Sequence, residues 1–280
     1  MDIGDITNNL AEKWSHPVPA YTIDDLRLHI QKPLEEDEKI PISRKKFDSL
    51  CVPHALQARV DTVSDQQLST LFRVSADRRA ERVESDFLYV MRRRVPQTGT
   101  VDTFHVTYDL NISTIIEFIL TSTTSIRNSN QNTSTALKCP DYGLLVNNYC
   151  LLRGEEKGSD TVGDPEKELV TKIGHWVYKP LPFILGLLWF YFDLTSSYAD
   201  ATGYYAETTN IHFVAITPPP SKTILLFSHN LRTTQEKVAN IVHLIWLSGV
   251  LGWMGSQLEP RGIPEFKEFV RYVPLSPLVY

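Results

Sequence analysis

The spacing of apolar positions changes near residue 100. Before it, polar residues dominate and apolar ones recur at helical intervals. "TIDDLRLHIQK" (22–32) sets Thr22 as a cap ahead of Asp24 and Asp25, a helix-start signal. "SDQQLSTLFRVSADRRAERVESDFLYVMRRR" (64–94) carries Leu68, Leu71 and Phe72 at helical spacing and predicts a further helix. After the turn-rich "PQTGT" (96–100), "VDTFHVTYDL" alternates like a strand and "STIIEFILTSTTSI" (113–126) predicts a buried helix capped by Ser113. A polar loop fills 127–138, and the apolar runs "YGLLV" and "YCLLR" then flank Asn147-Asn148, a hairpin turn signal. Asp164 as cap, Pro165 at the first position, and Glu166 and Glu168 in the first turn mark another helix. "NIHFVAIT" (210–217) and "KTILLFSH" (222–229) predict strands on either side of Pro218-Pro219-Pro220, and a long apolar helix follows. From residue 101 the order is roughly β, α, β-hairpin, α, β, β, α, the pattern of an α/β sandwich. The expected division is a mainly helical region, 1–98, followed by an α/β domain, 99–280.

Composition narrows the function classes. At 280 residues, 42% hydrophobic and 22% charged, the chain suits a folded protein rather than a disordered one. The formal net charge of −5 gives no global basic signature, so contact with nucleic acid has to come from a local patch. Arg73, Arg78, Arg79, Arg82, Arg92, Arg93 and Arg94 crowd one stretch, with Arg44, Lys45 and Lys46 upstream; Glu81, Glu84 and Asp86, interleaved, are what a solvated helix face would also show. Cys51, Cys139 and Cys150 form no paired spacing, which argues against a disulfide framework or zinc module and for a reducing compartment. The start, "MDIGDITNNLAEKW", lacks the basic then apolar run of a secretory signal, so the expectation is an intracellular protein. "PLPFILGLLWFYF" (180–192) is too short to span a bilayer, and "VANIVHLIWLSGVLGWMG" (238–255) is interrupted by Asn240, His243 and Ser248; both are expected in the core, with no membrane partner.

The candidate chemistry sits on the hairpin. If Asn147-Asn148 alone form the loop, Asp141 faces Gly154 and touches Glu155 diagonally; if Tyr149 joins the loop, Asp141 faces Glu155 directly. Either register brings the two carboxylates within cross-strand reach. Carboxylates that close repel unless a cation lies between them, and hard oxygen ligands suit Mg²⁺. Alternation along the strand puts Glu155 and Lys157 on one face and Glu156 on the other, leaving the Glu156 carbonyl as a third oxygen. A lysine beside a metal-bound water can orient it and offset charge developing on a phosphate. Other chemistries lack support: Cys51 and His54 have no second pair to complete a zinc site, no nucleophile-elbow sequence accompanies the scattered histidines, and Gly154 and Gly158 flank acids that would repel phosphate.

Pro140-Asp141 followed by Glu155-Glu156-Lys157 resembles the PD-(D/E)xK nuclease signature. "LLRGEEKG" running into "DPEKELVTKI" is similar to the nuclease-type C-terminal domains of Crinkler effectors from oomycetes and fungi. That resemblance, over about 113–247, implies a restriction-endonuclease-like α-β-β-β-α-β core, a mixed sheet flanked by helices, with the motif on a β-hairpin. It implies Asp141, Glu155 and the backbone of Glu156 as ligands of Mg²⁺ (or Mn²⁺), Lys157 as the catalytic lysine and Glu117 as an auxiliary acid from the upstream helix. The helix after the motif would turn Lys172 or Lys167 toward the phosphate, although Glu168 and Lys172 are also spaced as an ordinary i,i+4 pair. The partner implied is nucleic acid, DNA ahead of RNA, contacted through Arg78, Arg79, Arg82, Arg92, Arg93, Arg94 and Lys172, and the place of action a host nucleus. In one respect the sequence departs from the pattern: the polar 127–138 leaves no evident strand before Pro140. The rival expectation is a non-catalytic binding or assembly protein with a degenerate nuclease-like fold.

Overall fold

The computed structural model describes residues 4–18, 22–51, 63–76, 81–96, 101–128, 139–157, 164–173, 176–191 and 209–258. The first hundred residues hold helices α1 (Gly4–Trp14), α2 (Ile23–Ile30), α3 (Arg44–Cys51), α4 (Asp65–Leu68) and α5 (Glu81–Arg92) and a small parallel pair, β1 (Ile40–Ile42) and β2 (Phe72–Val74), on which α3 and α5 pack. Thr22 caps α2 by accepting from Asp25 N, as its sequence predicts. The single helix expected over 64–94 is broken instead. A Ser64/Gln67 capping box starts α4, which ends after one turn, and Phe72 pairs in β2 with Ile40.

A six-stranded sheet of order β3-β4-β5-β6-β7-β8 forms the second half: β3 (Thr123–Arg127), β4 (Tyr142–Val146), β5 (Tyr149–Lys157), β6 (Ile184–Tyr191), β7 (Thr209–Ile216) and β8 (Thr223–Asn230). All neighbours run antiparallel except β5 and β6, which are parallel and joined through α8 (Pro165–Thr171). The fold is therefore a mixed α/β one, as expected. Asn147 and Asn148 take φ of 51° and 63°, the left-handed pair of a two-residue hairpin turn. Asp164 caps α8 through Glu166 N and Lys167 N, with Pro165 in its first turn. Gly186 lets α8 lie close on the sheet: a Cβ there would come within 2.7 Å of Leu169 Cδ2 and 2.6 Å of Val214 Cγ2.

Two expectations for 101–126 are corrected. Residues 101–108 form helix α6 (Val101–Tyr108) rather than a strand, continuing through a π-helical turn (Asp109–Ser113) into α7 (Thr114–Ile119). Alternation over ten residues was misleading, since buried Phe104, Tyr108, Ile112, Ile115 and Ile119 recur at helical spacing over a longer window. The helix expected to reach Ile126 stops at Ile119, Leu120 turns extended, and the Thr-rich end becomes β3. β-branched residues favour that outcome. The strand that seemed missing before Pro140 thus precedes the polar stretch expected as a loop, of which 129–138 lie outside the described residues.

The last helix, α9 (Thr234–Ser256), is long and apolar enough to cross a membrane by length and composition, but 78% of its most apolar stretch is buried inside the protein. It ties the hairpin turn to the core, with Asn147 Nδ2 donating to Gly255 O at 3.1 Å. Asn240 Nδ2 donates to Asn111 O in the π turn at 2.9 Å.

Candidate functional site

Register sets the geometry of the site. Near the turn β4 and β5 pair Val146 with Tyr149 and Leu145 with Cys150; an irregularity at Leu144/Leu145 then shifts the ladder so that Leu144 meets Leu152 and Tyr142 meets Gly154. Both registers expected from the sequence occur, one on each side of a bulge. Beyond the bulge Asp141 is next in line opposite Glu155. Asp141 Oδ2 accepts from Glu156 N at 2.8 Å, and the Asp141 carbonyl accepts from Asn128 N at 3.2 Å, which fixes the residue between β3 and β5.

On the face covered by α8, Asp141 and Glu155 share one ammonium. Lys172 Nζ is hydrogen-bonded to Glu155 Oε2, 3.7 Å from Asp141 Oδ1 and 3.6 Å from Glu168 Oε2. The Glu168–Lys172 pair foreseen from i,i+4 spacing is real, but it is one arm of a larger cluster. Glu155 is wholly buried, and its Oε1 has no hydrogen-bond partner. Burial pushes its carboxyl up to about 7; the Lys172 ammonium pulls the other way, and the Asp141 charge adds to the rise. For Lys172, burial works against the charged form, yet Glu155, Asp141 and Glu168 together raise it above an ordinary lysine. Arg153, also wholly buried on β5, donates from Nη2 to the Lys172 carbonyl at 3.5 Å and so anchors the end of α8 beside the acids.

The opposite face of β5 is electrostatically closed. Glu156 Oε1 accepts from Arg127 Nη1 at 2.7 Å, and Glu156 Oε2 lies 2.9 Å from His105 Nε2. Arg127 also donates from Nη2 to Asp109 in the π turn at 2.8 Å, and its guanidinium lies over the rings of Tyr108 and Tyr142 at 5.7 and 5.4 Å. Burial raises the Glu156 carboxyl, and Arg127 and His105 oppose that rise. The sequence reading missed Arg127, His105 and Asp109. The available signal was parity: if Glu155 faces one side of a buried strand, Glu156 faces the other, and a buried carboxylate there requires cationic partners.

The remaining candidates are dispersed or undescribed. Lys157 pairs with Phe190 in the ladder and has the strand parity of Glu155; its side chain lies outside the described residues. Glu117 is exposed on α7, near enough for its charge to raise the Tyr142 hydroxyl. Arg92, Arg93 and Arg94 are exposed at the end of α5, where Arg92 Nη2 donates to Ser49 Oγ of α3 at 2.8 Å. Arg78, Arg79 and the Arg82 side chain lie outside the described residues. Among the described residues, no group of three or more His, Cys, Asp or Glu is placed to hold a metal ion. Asp141 and Glu155 are the two carboxylates at the notch, a hard-oxygen pair in which the buried Glu155 Oε1 has no hydrogen-bond partner.

Over 101 residues, 36% of its length, the chain is 32% identical to Crinkler effector protein 8 of Phytophthora infestans, and it covers 16% of that protein. This is a partial relationship to a Crinkler effector. No family model matches the chain, and no solved structure does.

Proposed function

We propose that the chain is a divalent-metal-dependent nuclease of the PD-(D/E)xK kind, hydrolysing phosphodiester bonds of nucleic acid, DNA ahead of RNA. The observation that carries the reading is the meeting of Asp141 and Glu155 at a single ammonium, at the end of a hairpin, with one buried Glu155 oxygen lacking a hydrogen-bond partner. Two carboxylates and a carbonyl fit Mg²⁺ or Mn²⁺, which complete their shell with water. The order α7, β3, β4, β5, α8, β6 follows the α-β-β-β-α-β succession of a restriction-endonuclease-like core and supports the same reading.

In this reading Asp141 Oδ1 and Glu155 hold the cation and the Glu156 carbonyl adds a third oxygen. A bound divalent ion supplies Lewis acidity toward the phosphate and a more acidic water. Lys157 and Lys172 provide positive charge where the pentacoordinate phosphate gains negative charge, and Glu117 is an auxiliary acid. Arg92, Arg93 and Arg94, with Arg78, Arg79 and Arg82 in the same stretch, approach the phosphate backbone, so binding weakens steeply with salt. The partial likeness to a Crinkler effector supports a role as an effector acting on host DNA, in a host nucleus.

The test is plasmid cleavage with Mg²⁺ or Mn²⁺, run beside Asp141→Ala and Lys157→Ala. The wild type should cut, and each variant should lose about a hundredfold or more of the rate. Cleavage that survives both substitutions moves the site elsewhere. A wild type that binds DNA without cutting it makes the chain a binding protein with a degenerate site.

A further inference from the structure

We infer that the Lys172 side chain is a built-in competitor for the cation: it neutralises Asp141 and Glu155 in the metal-free protein and must leave them when a divalent ion loads. The inference rests on the nuclease reading and adds a regulation of its site. Three carboxylates surround Nζ: it is bonded to Glu155 Oε2 and lies 3.7 Å from Asp141 Oδ1 and 3.6 Å from Glu168 Oε2. Among the described residues, one ammonium meets three acids, which leaves an excess of negative charge. Of these acids Glu155 is wholly buried, and its Oε1 is unpartnered. A monovalent side chain therefore covers the notch incompletely, and a divalent ion would cover it better.

The backbone and side chain of Lys172 differ in freedom. Its N–H is bonded to Glu168 O as the cap of α8, and its carbonyl receives Arg153 Nη2 at 3.5 Å, so the main chain is held. The side chain has four rotatable bonds and is 15% exposed. Glu168, at 34% the most exposed of the three acids, would give the displaced ammonium a partner toward solvent. An arriving phosphate would meet it there. Metal loading and the presentation of a cation to substrate are then one event.

The test needs no nucleic acid. MnCl₂ is titrated calorimetrically into the full chain, and the Mn²⁺-induced rise in unfolding midpoint is measured, for the wild type, Lys172→Gln, Lys172→Arg and Asp141→Asn. Lys172→Gln removes the competitor and should bind Mn²⁺ about tenfold tighter than wild type, with a larger midpoint shift. Lys172→Arg places a forked guanidinium on the same acids and should bind several-fold more weakly, which tests the inference even if the Gln variant folds poorly. Equal affinities in the three proteins that keep Asp141, or the reverse order, overturn the inference while leaving the nuclease reading intact. If wild type and Asp141→Asn alike bind no Mn²⁺, the nuclease reading itself fails and takes the inference with it.

Discussion

Glu155 and Glu156 are chain neighbours on one strand, but their carboxylates meet opposite electrostatic conditions. Glu156 has two basic partners, Arg127 bonded to Oε1 and His105 2.9 Å from an Oε2 that otherwise makes no hydrogen bond, and Arg127 is in turn held by Asp109. Glu155 shares its one ammonium with two other acids and keeps an oxygen unpartnered. The contrast separates a clamp from a binding notch. The closed face fixes the end of β5 against β3, across β4; the open face holds acids in excess, a charge that a proton or a metal ion would relieve. A clamp loses stability when a partner is removed, whereas a notch short of cations changes its proton or metal occupancy first.

The largest expected break of this contrast is Arg127→Ala. It leaves Glu156 buried without its main partner, and urea unfolding should show a loss of about 3–5 kcal/mol. Lys172→Ala should cost less, because Glu155 can take up a proton instead. Next is the pH profile of the metal-free protein. The Glu155 carboxyl lies near 7 in the folded state against an ordinary 4.5, so the folded protein holds an extra proton between those values, and this group's contribution makes stability fall as pH rises through that window. Glu155→Gln should abolish the fall, with the variant gaining about 3 kcal/mol over wild type between pH 4.5 and pH 7 and a constant difference outside it, read from unfolding curves in EDTA. Smaller still is Gly186→Ala, whose new methyl group meets Leu169 and Val214 and should cost about 1–3 kcal/mol by lifting α8, with Lys172, from the sheet. The smallest is Glu117→Ala. At an exposed position it should change stability by less than about 0.5 kcal/mol, so any loss of cleavage measured there would report chemistry rather than folding.

Legibility followed range. The Asn147-Asn148 turn, the Asp164-Pro165 helix start, the two strands around Pro218-Pro219-Pro220 and the long final helix were all readable, because each signal lies within a few residues of what it specifies. The meeting of Asp141 and Glu155 was readable for the same reason, through the hairpin that joins them. Arg127 was not, since its partners Asp109 and Glu156 lie 18 and 29 residues away in the chain. Neither was the position of Lys172 between the acids: spacing gave its Glu168 partner, but its contact with Glu155 depends on how α8 lies over the sheet. The π turn at Asp109 has no local signature in this sequence, although it presents the aspartate to Arg127.

The irregular step at Leu144/Leu145 has a consequence for how such motifs are sought. Leu151 has no partner across the ladder, so the arm carrying Glu155 is one residue longer than the arm carrying Asp141. The interval between the two acids is thus partly an accident of strand architecture. A chain lacking that spare residue would align the same carboxylates with its interval shortened by one, and a search pattern of rigid length would pass it over.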